Sequence, residues 1–188
     1  MVHVPISVWP QTLDDFLAWE PPVDGYKYEW NDGAIVRFEK MKRKHLYLIR
    51  HLSRLFLTTT AHQQGGELIP EQDVLLTSSQ MRRPDLAYFS DNQITTSLTT
   101  DTEPIPAFTI EIISPTDDAE EVEKKLAEYF RVGVQVVWHV YIENQVVYVY
   151  TGRKHVTICL EDDACSAAPV LPDFSLTVNQ LFAAPTAA

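Results

Sequence analysis

The sequence predicts a mixed α/β (α+β) fold, a central mixed β-sheet flanked by helices. Three observations carry that expectation. Residues 107–113 form a nearly continuous apolar run of the kind found in the middle of a sheet. An amphipathic helix and an alternating strand over 135–142 follow it, making a strand–helix–strand unit. The 188 residues, 45% apolar and 22% charged, suffice to bury one core without a disulfide or metal staple. We expect one domain over residues 1–182, with 183–188 a frayed tail that has nothing to bury.

Residues 12–19 read as a short helix, with Thr12 as N-cap and Asp15 three positions on. Residues 26–30 and 34–41 read as strands joined at Asn31-Asp32-Gly33, a hairpin turn, because Asn and Gly tolerate positive φ. A long helix is expected over 43–60, with Leu46, Ile49, Leu52, Leu55 and Phe56 on its apolar side. Residues 67–76 and 84–89 read as strands, and the polar, Thr-rich stretch 90–106 as a loop. After the central strand, Ser114-Pro115-Thr116-Asp117 stops the run and caps a helix over 118–132 that ends at Gly133. Strands over 135–142, 145–150 and 155–160 follow, then a short helix over 177–182. Val136, Trp138 and Val140 alternate as one strand face and are expected in the core.

Fifteen Lys and Arg against 26 Asp and Glu give a net charge of −11, which repels bare phosphate unless charges are segregated or a cation intervenes. Uncharged stretches are shorter than the roughly 20 residues a bilayer needs, and residues 1–13 lack a basic secretory n-region, so we expect a cytoplasmic protein. Cys159 and Cys165 match no zinc spacing and read as reduced thiols. The six His residues show no i, i+4 pair, which argues against a zinc hydrolase; only His45, near the start of the long helix, merits attention. There is no Gly-rich phosphate loop and no Gly-x-Ser-x-Gly elbow, so Ser114 reads as a cap and not a nucleophile.

The anomaly is Glu111 inside Phe108-Thr109-Ile110-Glu111-Ile112-Ile113, since an ionised carboxylate in a central strand is expensive unless paired or bound to a cation. Asp85, in Pro84-Asp85-Leu86-Ala87, is a second acid in an apolar setting, and Glu29, between Tyr28 and Trp30, a third. On the helix that follows Glu111, Lys125 falls on the apolar stripe Val122, Leu126, Tyr129, while Lys124 points the other way. Three inward acids and one inward lysine suit a hard cation such as Mg²⁺, with Mn²⁺ as the alternative. The bland alternative is a buried ion pair of Lys125 with Glu111 or Asp85.

At these residues the sequence resembles the Uma-type family, a branch of the PD-(D/E)XK restriction-endonuclease-like superfamily. The likeness rests on Tyr28-Glu29, Asp32-Gly33, His45, Arg83-Pro84-Asp85, Glu111-Ile112-Ile113-Ser114-Pro115, Lys125, Tyr129, Gly133-Val134 and Trp138, over about residues 12–150. It implies a restriction-endonuclease-like fold, with Asp85 and Glu111 as metal ligands and Glu29 as a supporting acid near the metal. It implies hydrolysis of nucleic-acid phosphodiesters, DNA before RNA, by a metal-activated water, with Lys125 positioning that water. Two positions depart from the pattern. Ile113 stands where the usual Glu-x-Lys has its lysine, a role the branch moves to Lys125. Tyr141 stands where the family has Asp.

Seven of the fifteen basic residues fall between Arg37 and Arg54, with one acid among them. Arg43, Lys44, Arg50 and Arg54, joined by Arg82 and Arg83 beside Asp85, are candidates for a phosphate-binding face, the alternative being a solvated helix face. The expected partners are nucleic acid and a second copy of the chain. The competing readings are a nuclease-fold binding or assembly module without cleavage, and a non-nuclease metal phosphoesterase.

Overall fold

The computed structural model describes residues 9–39, 43–100 and 103–183. The chain opens with α1 (Leu13–Leu17), where Thr12 and Asp15 form the expected capping box. β1 (Tyr26–Asn31) and β2 (Ala34–Glu39) pair as a hairpin whose two turn residues, Asp32 and Gly33, take φ of 48° and 86°. Residues 40–42, where part of the basic run falls, lie outside the described residues.

Next come α2 (Arg43–Phe56) and α3 (Thr60–Gln63). The buried face of α2 is Leu48, Ile49, Leu52 and Phe56, whereas Leu46, expected inward, is exposed. His45 sits one turn before Ile49 on the buried face, which brings it to the pocket described below.

The expected strand over 67–76 is two strands in two sheets: β3 (Glu67–Pro70) and β4 (Val74–Thr77). Glu71 takes φ 49° after Pro70 and donates its N–H to the Asp85 carbonyl at 3.2 Å, so the chain leaves one sheet there and enters another. β5 (Gln80–Arg82) and β6 (Leu86–Phe89) follow. The expected loop over 90–106 contains α4 (Asp91–Thr99). Its signal was the Ser90–Gln93 capping box, which outweighs the modest helix propensity of its Thr residues.

β7 (Phe108–Ile113), α5 (Ala119–Val132, capped by Asp118 and closed by Gly133 at φ 105°) and β8 (Val136–Tyr141) form the strand–helix–strand unit. β9 (Val146–Gly152), β10 (His155–Cys159), β11 (Ala164–Ala167), β12 (Leu171–Thr177) and α6 (Val178–Phe182) complete the order. β5, β11 and β12 were not foreseen: β5 and β11 are three and four residues long, and Pro169 and Pro172 interrupt the pattern around β12.

The strands form three sheets, ordered β2-β1-β5-β4, β10-β9-β8-β7-β6-β3 and β11-β12. In the six-stranded sheet β7 and β8 are parallel and the other pairs antiparallel, so the sheet is mixed. Its two faces differ by strand alternation. Phe108, Ile110 and Ile112 of β7, with Trp138 and Val140 of β8, pack against Leu48, Leu52 and Phe56 of α2. The opposite face meets Leu126 and Tyr129 of α5 through Ala87, Phe89 and Val137. Among the described residues no helix is long and apolar enough to cross a membrane.

Candidate active site

Alternation decides which acids enter the α5 side. With Ile110 and Ile112 turned to α2, Glu111 must turn to α5. With Leu86 turned to α2, Asp85 turns with Ala87 toward α5. β1 adds Lys27 and Glu29 from one face while Tyr28 and Trp30 fill a small core with Phe16 and Met81 on the other. α5 supplies Lys125 and Tyr129 from its buried stripe, as the helical spacing predicts, and both are nearly fully buried.

These groups meet. Asp85 Oδ1 accepts from Lys27 Nζ at 2.9 Å, and Oδ2 from the Ile112 N–H at 2.6 Å. Glu111 Oε1 accepts from the Tyr129 hydroxyl at 2.6 Å and lies 2.9 Å from Lys125 Nζ. Lys125 Nζ also donates to Glu29 Oε1 at 2.9 Å. Lys27, Asp85, Glu111 and Lys125 line one small cavity of about 40 Å³, together with His45, Ser114, Asp117 and His139.

Electrostatics separates the acids. Burial alone would raise the Asp85 carboxyl, but the Lys27 ammonium and the Ile112 N–H hold it below the ordinary carboxylate value. Burial also raises Glu111, and there it wins: Lys125 pulls down, but the charge of Asp85 pushes up again. Burial raises the Tyr129 hydroxyl far above its usual value, with the Glu111 charge adding to it, so Tyr129 remains a hydrogen-bond donor. His139, paired with Glu111 across the parallel strands, is pushed down to about 4 by burial and then by Lys125, so its ring is neutral at pH 7.

Two expectations meet a different geometry, and one residue joins the site. Glu29 does not line the cavity: its oxygens accept from Lys125, from the Arg83 N–H at 3.1 Å and from Arg82 at 3.2 Å. It sits behind Lys125, off the cavity wall. Arg82, expected on a phosphate-facing rim, is 0% exposed and bridges Glu29 to Glu128, the latter at 2.7 Å. A cation sealed in that way cannot reach solvent phosphate. Lys27 escaped the sequence reading altogether; its one available signal was the spacing Lys27-x-Glu29, which puts both residues on one strand face.

Of the other basic candidates, Lys44, Arg50 and Arg54 are exposed, Lys44 pairing with Glu143 at 2.9 Å. Arg83 is tied bidentately to Asp73. The side chain of Arg43 lies outside the described residues. Cys159 and Cys165 are free and buried.

Among the described residues no three His, Cys, Asp or Glu side chains gather as a metal-binding group. Three carboxylates line the cavity, Asp85, Glu111 and Asp117, and the last already accepts from the Ser114 N–H at 2.8 Å. Two are enough for Mg²⁺, which binds through one or two carboxylates and keeps several waters. Tyr129 and Lys125 both meet Glu111 at Oε1, and burial first, then the Asp85 charge, raises its carboxyl, a cost that a bound cation would relieve. The donor set therefore fits a divalent ion held by Asp85 and Glu111.

The Uma2 family profile, described as "Putative restriction endonuclease", matches residues 13–179. No curated protein matches the chain. Among solved structures, the fold is similar to a crystal structure from Anabaena variabilis described as a "putative nuclease belonging to DUF820". The TM-score is 0.77 at 24% identity, over 92% of this chain and 98% of that one.

Proposed function

Because the chain belongs to the Uma2 family of putative restriction endonucleases, we propose that it is a divalent-metal-dependent endonuclease acting on nucleic-acid phosphodiesters, DNA before RNA. The observation that carries this is the meeting of Asp85, just before β6, and Glu111 of β7 with Lys125 in one small cavity. Asp85 and Glu111 would hold Mg²⁺, or Mn²⁺ in its place. When bound, that ion would supply a water of lowered pKa and draw charge from the phosphoryl oxygens.

The protein's own groups do the rest. Lys125, held 2.9 Å from both Glu29 and Glu111, presents its ammonium to the attacking water and to the charge that develops on the phosphate. Glu29 is a positioning residue: it fixes Lys125 and is itself anchored by Arg82 and the Arg83 N–H. Tyr129 holds Glu111 Oε1 and so orients the carboxylate. Lys27 neutralises Asp85 until a cation arrives. Exposed Lys44, Arg50 and Arg54 would take flanking phosphates, keeping the local positive charge that an acidic protein needs to meet nucleic acid.

A plasmid and oligonucleotide cleavage assay in Mg²⁺ or Mn²⁺ tests the assignment. Asp85→Ala and Lys125→Ala should each lose at least about a hundredfold in rate, in line with the loss of one charge-stabilising group. Equal activity in wild type and both variants rejects these roles.

A second reading, a binding module without cleavage, is favoured by the ion pairing itself, since Lys27 and Lys125 already satisfy the acids. Calorimetric titration with Mn²⁺ separates the two: no uptake at millimolar concentration favours the module. We further propose a homodimer through β10. This is an edge strand, and Val156, Ile158 and Leu160 on and beside it are each about half exposed. Light scattering at micromolar concentration should give twice the chain mass; a monomer mass ends the proposal.

A further inference from the structure

The cavity at Asp85 and Glu111, about 40 Å³, holds a water or two and no nucleotide. Beside it lies a second cavity of about 390 Å³ that shares Ser114, Asp117, Val122 and His139 with the first. That size falls within the range of small-molecule sites.

Rings of His139, Tyr141 and Tyr150 line the larger cavity, with Ile113, Val122 and Ile142 beside them. The His139 and Tyr150 rings meet edge to face at 5.0 Å, and Tyr141 leans on Tyr148 at the same distance. His139 is only 2% exposed, lines both cavities, and its Nδ1 has no hydrogen-bond partner among the described residues. Protein interiors seldom leave a buried ring nitrogen unpaired without a reason.

Three acids border the cavity, and each is answered. Asp117 accepts from the Ser114 N–H at 2.8 Å, Glu123 pairs with Arg153 at 3.2 Å, and Glu143 with Lys44 at 2.9 Å. The last two pairs are exposed and weakly held, so Arg153 and Lys44 can exchange a carboxylate for a phosphate. The lining thus disfavours a bare phosphate inside, favours a flat uncharged ring, and keeps cations at the rim.

We infer that this cavity takes one unstacked nucleobase with its sugar, beside the phosphodiester presented to Asp85 and Glu111, so that the substrate is single-stranded or locally opened nucleic acid. The inference rests on the nuclease reading above and deepens it. A base inside a duplex cannot enter without being turned out of its stack, whereas a single strand offers its bases freely. Tyr141 and Tyr150 supply the stacking surface and His139 a hydrogen-bonding edge.

Binding of a short oligodeoxynucleotide carrying one 2-aminopurine tests this, measured by fluorescence with no divalent ion present. The single strand should bind at least about tenfold tighter than the same strand annealed to its complement, with a change in 2-aminopurine emission. Ala119 is exposed on the cavity wall, and Ala119→Trp, which fills the space without touching the core, should abolish that preference. Tyr141→Ala should weaken single-strand binding roughly tenfold while Tyr141→Phe preserves it. Circular dichroism checks that each variant is folded. Equal affinity for both probes, or Ala119→Trp binding like wild type, overturns the inference. Cleavage of paired and single strands alike overturns it too while leaving the nuclease reading standing. A single-strand preference without cleavage in Mg²⁺ or Mn²⁺ supports it and removes the nuclease reading.

Discussion

The two faces of the six-stranded sheet are built from the same strands and do opposite work. Toward α2, β7 and β8 present Phe108, Ile110, Ile112, Trp138 and Val140, an apolar layer in which Trp138 stacks on Phe174 at 5.6 Å. Toward α5, one residue out of step, they present buried polar Thr109, Glu111 and His139 beside apolar Val137. The first face contributes stability through area removed from water. On the second, ions have been taken out of water and paired, an arrangement that stabilises little by itself. A hydrophobic layer on one side therefore holds a costly, pre-arranged charge cluster on the other.

The largest change in stability should come from the apolar face. Trp138→Ala removes a fully buried ring and should cost about 3–5 kcal/mol in urea denaturation. Glu111→Gln, one residue away in register across the parallel pair, should cost far less and abolish cleavage. Similar losses of stability in the two variants would break the division between faces.

The charged face should also make stability depend on pH. His139 is about 4 in the folded protein against an ordinary 6.5, so the unfolded chain binds the proton first. Its contribution is full above about pH 6.5 and falls as pH drops toward 4, by a total of about 3 kcal/mol. His139→Phe should flatten that part of the profile; an unchanged slope between pH 7 and pH 4 would assign it to other groups.

The smallest effect sharpens the comparison at one atom. Lys27 Nζ holds Asp85 Oδ1 at 2.9 Å, where an incoming cation must compete with it. Lys27→Met should raise Mn²⁺ affinity on the order of tenfold, from the removal of one like charge. Calorimetry showing equal or weaker binding would make Lys27 a partner of the ion and not its competitor.

How far the sequence could be read follows the range of each interaction. The Asp32-Gly33 turn, the Thr12 cap and the Gly133 helix stop are local events, and they stand where the residues placed them. The inward aim of Lys125 followed from helical spacing, and that of Glu111 was visible as an acid in an apolar strand. Pro70 and the polar Glu71-Gln72-Asp73 gave a local sign that the strand over 67–76 breaks, but that its halves enter different sheets was not legible, because that depends on distant partners such as the Asp85 carbonyl on Glu71. Arg82 looked like a surface cation because sequence does not show that Glu29 and Glu128, distant in the chain, enclose it.

The sequence by itself determined the hairpin, the long helix, the strand–helix–strand unit with its caps, and the alternation that sends Phe108, Ile110 and Ile112 one way and Glu111 the other, since dihedral preference and side-chain period are set by near neighbours. Only the tertiary structure decided which charges meet. Lys27 and Asp85 are 58 residues apart, and Lys125 and Glu29 are 96 apart. Pairing at that separation depends on how sheets and helix pack, because a buried charge takes whichever counter-charge the fold brings within reach.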